Sequence, residues 1–160
     1  MTSTLDLGYK NDGLGKALSN LMPYPFTLDG VACGSMEGFL QSLKIQELDG
    51  QDLMASLSGY RAWKTGQIAN DWRLAQTLWW RGVPYHRLSK EYHMLLERAY
   101  NACFDQNASF RSALFQTGVD VLTHVIGHHD PSMTTLTEWE YIFNMYRLRA
   151  RAQQQELTFG

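Results

Sequence analysis

Ser35-Met36-Glu37-Gly38-Phe39-Leu40-Gln41-Ser42-Leu43-Lys44 is the stretch on which the reading of this chain turns. Met36, Phe39, Leu40 and Leu43 recur at the spacing of three and four by which an α-helix buries one apolar stripe. Ser35 suits the N-cap, where its hydroxyl accepts from a free amide of the first turn, and Glu37 then lies near the positive helix end. Glu37, Gln41 and Lys44 follow steps of four and three. They form a polar strip about two turns long, spanning roughly 10 Å at ~1.5 Å per residue. Spacing alone leaves two readings of that strip: a solvated face whose acid, amide and amine pair loosely, or a set of groups gathered for chemistry.

Upstream, residues 18–31 read Leu-Ser-Asn-Leu-Met-Pro-Tyr-Pro-Phe-Thr-Leu-Asp-Gly-Val, a proline-punctuated loop running into a hairpin. Asp29-Gly30 closes a two-residue turn between strands predicted at Phe26 to Leu28 and Val31 to Cys33. A further strand is predicted near Asp6 to Tyr9, and Asn11-Asp12-Gly13 is a turn signal. Asn20 sits in the loop before the hairpin, where it either makes a local turn or faces a ligand.

Downstream, Gln51 to Leu57 reads as a short helix capped by Asp49. Asn70-Asp71 would cap another running from Trp72 to Trp80, with Trp72, Ala75, Gln76 and Trp79 on one face. The aromatics of this region, Tyr60, Trp63, Trp72, Trp79 and Trp80, serve either as core or as a stacking wall for a base. Ser89 caps the clearest helix, to Gln106, whose stripe is Tyr92, Leu95, Leu96, Ala99, Tyr100, Cys103 and Phe104. Asn107 restarts the chain for a helix over Ala108 to Gln116, ended by Thr117-Gly118, and Val119 to Val125 is a further apolar piece. Thr137 and Glu140 form a capping box for a final helix with an expected stripe of Trp139, Ile142, Phe143, Tyr146 and Leu148. Arg147, Arg149 and Arg151 would then suit its C-terminal dipole. The expected architecture is α+β: a predominantly helical single domain, residues 1–160, with a small N-terminal β-sheet.

At 160 residues the chain is long enough to bury a core without disulfides or metals. Cys33 and Cys103 are too few for a disulfide framework and fit a reducing cytoplasm. No apolar run approaches the ~20 residues of a membrane span, and residues 1–10 lack the order of a secretion signal. A net charge of −2 argues against a general nucleic-acid coat protein and leaves a single base or nucleotide open as a ligand. His124, His128, His129 and Asp130 lie close in sequence but lack a zinc-motif spacing, since no Glu stands between His124 and His128 and Gly127 interrupts a helix there. No nucleophile elbow or phosphate loop is present.

The run L-S-N-x-x-P-x-P-F-x-x-D-G followed by S-x-E-x-F-x-Q-x-x-K resembles the NADAR (YbiA-like) family of N-glycosidase and ADP-ribosyl-hydrolase-type proteins. The likeness continues through Phe104-Asp105-Gln106-Asn107, Phe110 to Gly118 and Leu122-Thr123-His124, covering roughly residues 18 to 149. It implies that Glu37 and Lys44 are the active-site acid and lysine: Glu37 for proton transfer, Lys44 for attack on, or Schiff-base trapping of, the ribose C1′. Asn20 falls on a substrate-contacting loop asparagine, with Gln41, Trp79, Trp80 and Asp130 as further substrate-binding candidates. Where the family has a tryptophan ahead of the long helix, Trp79, Trp80 and Tyr85 are nearby. Where it has a W-G-x-G loop after an acid, this chain has Asp130-Pro131-Ser132-Met133-Thr134-Thr135. The implied substrate is a small nucleotide or ADP-ribosylated guanine, possibly within nucleic acid, and no metal or other cofactor is implied. Chemically the pair is apt, because breaking a C1′–N bond needs a trap for the oxocarbenium carbon and a proton for the leaving base. A lysine can be the trap if burial keeps its amine neutral. A non-catalytic binder of a nucleotide or ADP-ribose in the same pocket is the alternative.

Overall fold

The computed structural model describes residues 2–159. In chain order the elements are β1 (Thr4–Asp6), α1 (Gly13–Ala17), β2 (Phe26–Leu28), β3 (Val31–Cys33), α2 (Met36–Ser42), α3 (Leu48–Ala55) and α4 (Gly59–Gly66). There follow α5 (Trp72–Ala75), β4 (Thr77–Trp80), β5 (Val83–His86), α6 (Lys90–Gln106), α7 (Ala108–Gln116), β6 (Val121–Thr123) and α8 (Glu138–Phe159). Helices dominate, and the strands form three pairs, so the α+β class holds. Two pairs are antiparallel hairpins, β2–β3 and β4–β5; the third joins β1 in parallel to the distant β6. Only β2–β3 lies wholly in the N-terminal region, so the β content is spread along the chain. No helix of the described residues is long and apolar enough to cross a membrane.

Local signals fix the hairpin and the core helices. Asp29 and Gly30 both take positive φ, 50° and 79°, the geometry whose twist matches the flanking strands. Ser35 Oγ accepts from Gly38 N at 2.9 Å, as expected of the cap. All seven stripe residues of α6 are buried, and Ser89 Oγ accepts from Tyr92 N. Phe39 of α2 meets Phe26 from β2 and the edge of Trp80 from β4, so α2 is the element against which the N-terminal half condenses.

Other expectations are corrected. The first strand is Thr4–Asp6 rather than Asp6 to Tyr9, because its partner is Val121–Thr123 and that ladder sets its register. Asn11-Asp12-Gly13 leads straight into the short α1. Glu47, not Asp49, caps α3 and accepts from the Asp49 and Gly50 amides. Asn107 does not cap α7 with its side chain; its amide instead donates to Pro25 O and Cys103 O. The helix expected from Trp72 to Trp80 stops at Ala75, where Gln76 takes φ 52°; Trp79 and Trp80 then lie on β4, turned into β5 by Arg81-Gly82 with φ 50° and 84°.

In α8 the inward face is Tyr141, Met145, Leu148 and Ala152, while Trp139, Phe143 and Tyr146 of the expected stripe are exposed. The capping-box Glu140 is buried on Arg87, and this polar anchor sets the helix phase against the count of aromatics. Arg147, Arg149 and Arg151 stand within α8 and dock on Asn101, on Asp120 O and on Asp105 rather than serving its own C-terminus. Cys33 and Cys103 are free and buried, and burial pushes both thiols up to about 12.

Candidate functional site

The polar strip of α2 is not solvated. Glu37 is 8% exposed and Gln41 5%, and Lys44 is partly covered. They are enclosed because α4 and the segment after it lie across them. Gln41 Nε2 donates to Glu37 Oε1 at 2.7 Å. Lys44 Nζ donates to Gly66 O at 3.0 Å and Asn70 Oδ1 at 3.3 Å, so the end of α4 acts as its cradle. Gly66 is required there, since a Cβ would overlap the Gln41 side-chain amide. Gln41 Oε1, pressed against this glycine, is buried without a hydrogen-bond partner.

The strip forms one wall of a cleft of about 770 Å³. Asn20 lines it as well; its carbonyl accepts from Glu37 N, and its Oδ1 accepts from the Tyr100 hydroxyl at 2.9 Å. Tyr60 and Trp63 of α4 form an aromatic wall with Trp72, and Arg73 stands beside them. His124, the segment from Met133 to Thr137, and Tyr141 complete the lining. Thus Asn20, Glu37, Gln41 and Lys44 line one concave site.

Burial dominates the electrostatics of the pair. It pushes the Glu37 carboxyl above the usual carboxylate range, against the Gln41 hydrogen bond and the nearby Lys44 and His124. Burial likewise pulls the Lys44 amine down to about 8, helped by Arg73 and opposed by Glu37. Each partner favours the other's charge, yet desolvation prevails at both. A lysine poised near neutral pH in a cleft is a candidate nucleophile, and an acid whose affinity for a proton is raised by burial beside it is a candidate proton carrier.

Three candidates lie elsewhere. Trp80 is core: it packs on Phe39 and donates Nε1 to Asp29 Oδ2 at 2.8 Å. Trp79 is tied by its backbone to Leu43 O and the Gln51 side chain. Strand geometry sends these neighbours to opposite faces behind α2, and neither lines the cleft. Asp130 is exposed on a loop outside the lining, its Oδ1 taken by the Ser132 amide and hydroxyl; those bonds hold its carboxyl below the ordinary value. The tryptophans ahead of α6 that do reach the cleft are Trp63 and, nearer that helix, Trp72. Trp72 Nε1 is buried without an acceptor. Tyr60 and Trp63, three apart on α4, line the cleft with it. Among the described residues no three His, Cys, Asp or Glu side chains converge as metal ligands. His124 and His129 bond to Leu7 O and Glu138 respectively.

The fold that carries this cleft is YbiA-like. The chain matches the NMR structure of the E. coli protein YbiA with a TM-score of 0.62 at 17% identity, covering 98% of this chain and 89% of that one. The chain belongs to the family described as bacteriophage protein GP30.3, whose match spans residues 14–150. It is also 37% identical over 134 residues to the "Uncharacterized 17.1 kDa protein in Gp30-rIII intergenic region" of Enterobacteria phage T4, covering 83% of this chain and 88% of that protein.

Proposed function

We propose that this protein is a NADAR-type hydrolase that cleaves an N-ribosyl or ADP-ribosyl linkage, such as ADP-ribose on guanine. The observation that carries this reading is the placement of Lys44 and Glu37 together on one wall of an aromatic-lined cleft, with burial moving both toward their neutral forms. Glu37 takes the proton that Lys44 must lose, and the free Nζ attacks C1′ as the bond to the base nitrogen breaks. Tyr60, Trp63 and Trp72 offer ring faces to a base. Asn20 contacts the sugar or its substituents, and Gln41 holds Glu37. The reaction draws on no metal or nucleotide cofactor and suits a cytoplasmic setting.

The test is to incubate the protein with ADP-ribosylated guanosine, free and in a DNA strand, and to measure released ADP-ribose. Borohydride added during turnover should fix a sugar adduct on Lys44 by reducing the open-chain imine that forms when the C1′–O4′ bond of the C1′–Nζ adduct opens and O4′ takes up a proton, a ring opening that reverses before water attacks. Lys44→Ala should lower release to background, a loss of about 10³-fold or more, since both attack and positioning go with it. Unchanged release in that variant would remove the mechanism. A second reading, a binder of the same ligand class, is favoured by Asp130 lying outside the cleft; it predicts calorimetric binding with the ligand recovered intact.

A further inference from the structure

Away from α2, the lining of the cleft includes a histidine whose geometry is set as closely as that of the lysine. His124 follows β6 directly, and the β1–β6 pair fixes where it emerges. Asp6 at the end of β1 brackets it, its Oδ1 accepting from Thr123 Oγ1 and from Val125 N, each at 2.9 Å. His124 Nδ1 lies 2.6 Å from Leu7 O. A carbonyl oxygen only accepts, so Nδ1 carries a proton, and Nε2 is left as the nitrogen able to gain or lose one. The ring stands edge-to-face on Tyr141, with centroids 4.9 Å apart and planes at 86°. The Tyr141 hydroxyl is spent on Leu18 O and does not compete for Nε2.

We infer that His124, acting through Nε2, is the proton donor to the departing base, in the same cleft as Lys44 and Glu37. This inference rests on the hydrolase reading above and divides its labour between α2 and the rest of the lining. In the first half-reaction the Lys44 Nζ lone pair bonds to C1′. The C1′–N electron pair leaves with the base nitrogen, which takes the proton from Nε2. In the second half, a water oxygen displaces Nζ from C1′ and its proton goes to Nε2, returning the imidazolium and the free amine. Atoms and charge balance with water as the only co-reactant. The ionisable groups around the ring are Asp6 from β1, Glu37 from α2 and Tyr141 from α8, with His128 also in the cleft lining.

The experiment separates proton donation from scaffolding. His124→Asn places an amide N–H where Nδ1–H stood, so the Leu7 bond is retained while Nε2 is lost. Two substrates are compared: a purine N-riboside, whose base must be protonated to leave, and an N-ribosyl pyridinium, whose base leaves neutral without a proton. In single-turnover measurements of base release, the step before water enters, His124→Asn should slow the purine substrate about 10²–10⁴-fold and leave the pyridinium within a few-fold of wild type. In His124→Gly, added imidazole should restore part of the purine rate. Equal losses on both substrates, or no loss on either, would overturn the inference while the hydrolase reading stands. A wild-type protein that releases base from neither substrate would instead overturn that reading, and this inference with it.

Discussion

Glu37 and Glu140 are the same residue in nearly the same setting, and the protein treats them in opposite ways. Both lie in the first turn of a helix, at 8% and 3% exposure. Burial alone would raise both carboxyls. At Glu140 the Arg87 and Thr137 hydrogen bonds and the Arg87 charge outweigh it and hold the acid ionised. Oε1 accepts from Arg87 Nη2 at 2.6 Å and from the Thr137 amide and hydroxyl; Oε2 accepts from Arg87 Nη1, and His93 Nε2 lies 2.7 Å from it. At Glu37 one amide donor is not enough. A buried acid with a full set of partners is a fixed charge that orders structure; one with a single partner and a cleft in front of it is free to exchange a proton.

The largest test of this contrast removes the better partner. Arg87→Met keeps much of the side-chain volume but strands Glu140, and should lower unfolding free energy by about 3–5 kcal/mol in urea titration. Adding Glu140→Gln should recover a good part of that loss. A change below about 1 kcal/mol for the single variant would show that the cluster does not anchor α8. Gly66→Ala acts on the other acid, and more weakly. Its methyl must displace the Gln41 amide, so a cost of about 1–3 kcal/mol is expected, typical of overpacking. Because Gln41 then lets go of Glu37 and the Lys44 cradle shifts, the midpoint for acylation of Lys44, about 8 in the native protein, should move. An unmoved midpoint would separate the glycine from the site.

How far the sequence discloses these two acids follows from how local their causes are. The Thr137–Glu140 box, the Ser35 cap, the Asp29-Gly30 turn and the α6 stripe are set within a few residues, and each is where its pattern places it. The β1–β6 pair joins segments about 117 positions apart. No window along the chain contains that pairing, so the emergence of His124 into the same cleft as Glu37 is not readable from it. The phase of α8 fails for a related reason: Arg87 is 53 residues from Glu140, and without it a buried Glu looks like a surface one. The Trp79-Trp80 pair misleads because Gln76 breaks a helix that propensity would continue. In the site itself the spacing of Glu37, Gln41 and Lys44 was legible; the cover over them, Gly66 and Asn70, was not.

The smallest predicted effect decides most sharply between the two acids, because it differs in sign. Glu37 titrates higher in the folded chain than in the unfolded one. As pH rises from acid through the ordinary glutamate value of about 4.3, the unfolded chain releases its proton first, and the folded state loses relative stability. Glu37→Gln removes that slope. At pH 7 the variant should be more stable than wild type by about 0.5–2 kcal/mol, a melting rise of about 2–4 °C per kcal/mol, and the gain should vanish at pH well below 4 or so. It should also lose base release, as expected where stability is given up for a reactive group. Glu140 titrates lower in the folded chain, so it contributes stability above the ordinary value that is lost as pH falls through the folded one. Glu140→Gln should therefore destabilise at pH 7, with the difference shrinking toward acid. Two glutamine substitutions with opposite melting shifts at pH 7 would establish that the cleft, and not burial as such, distinguishes Glu37; shifts of the same sign would abolish the distinction.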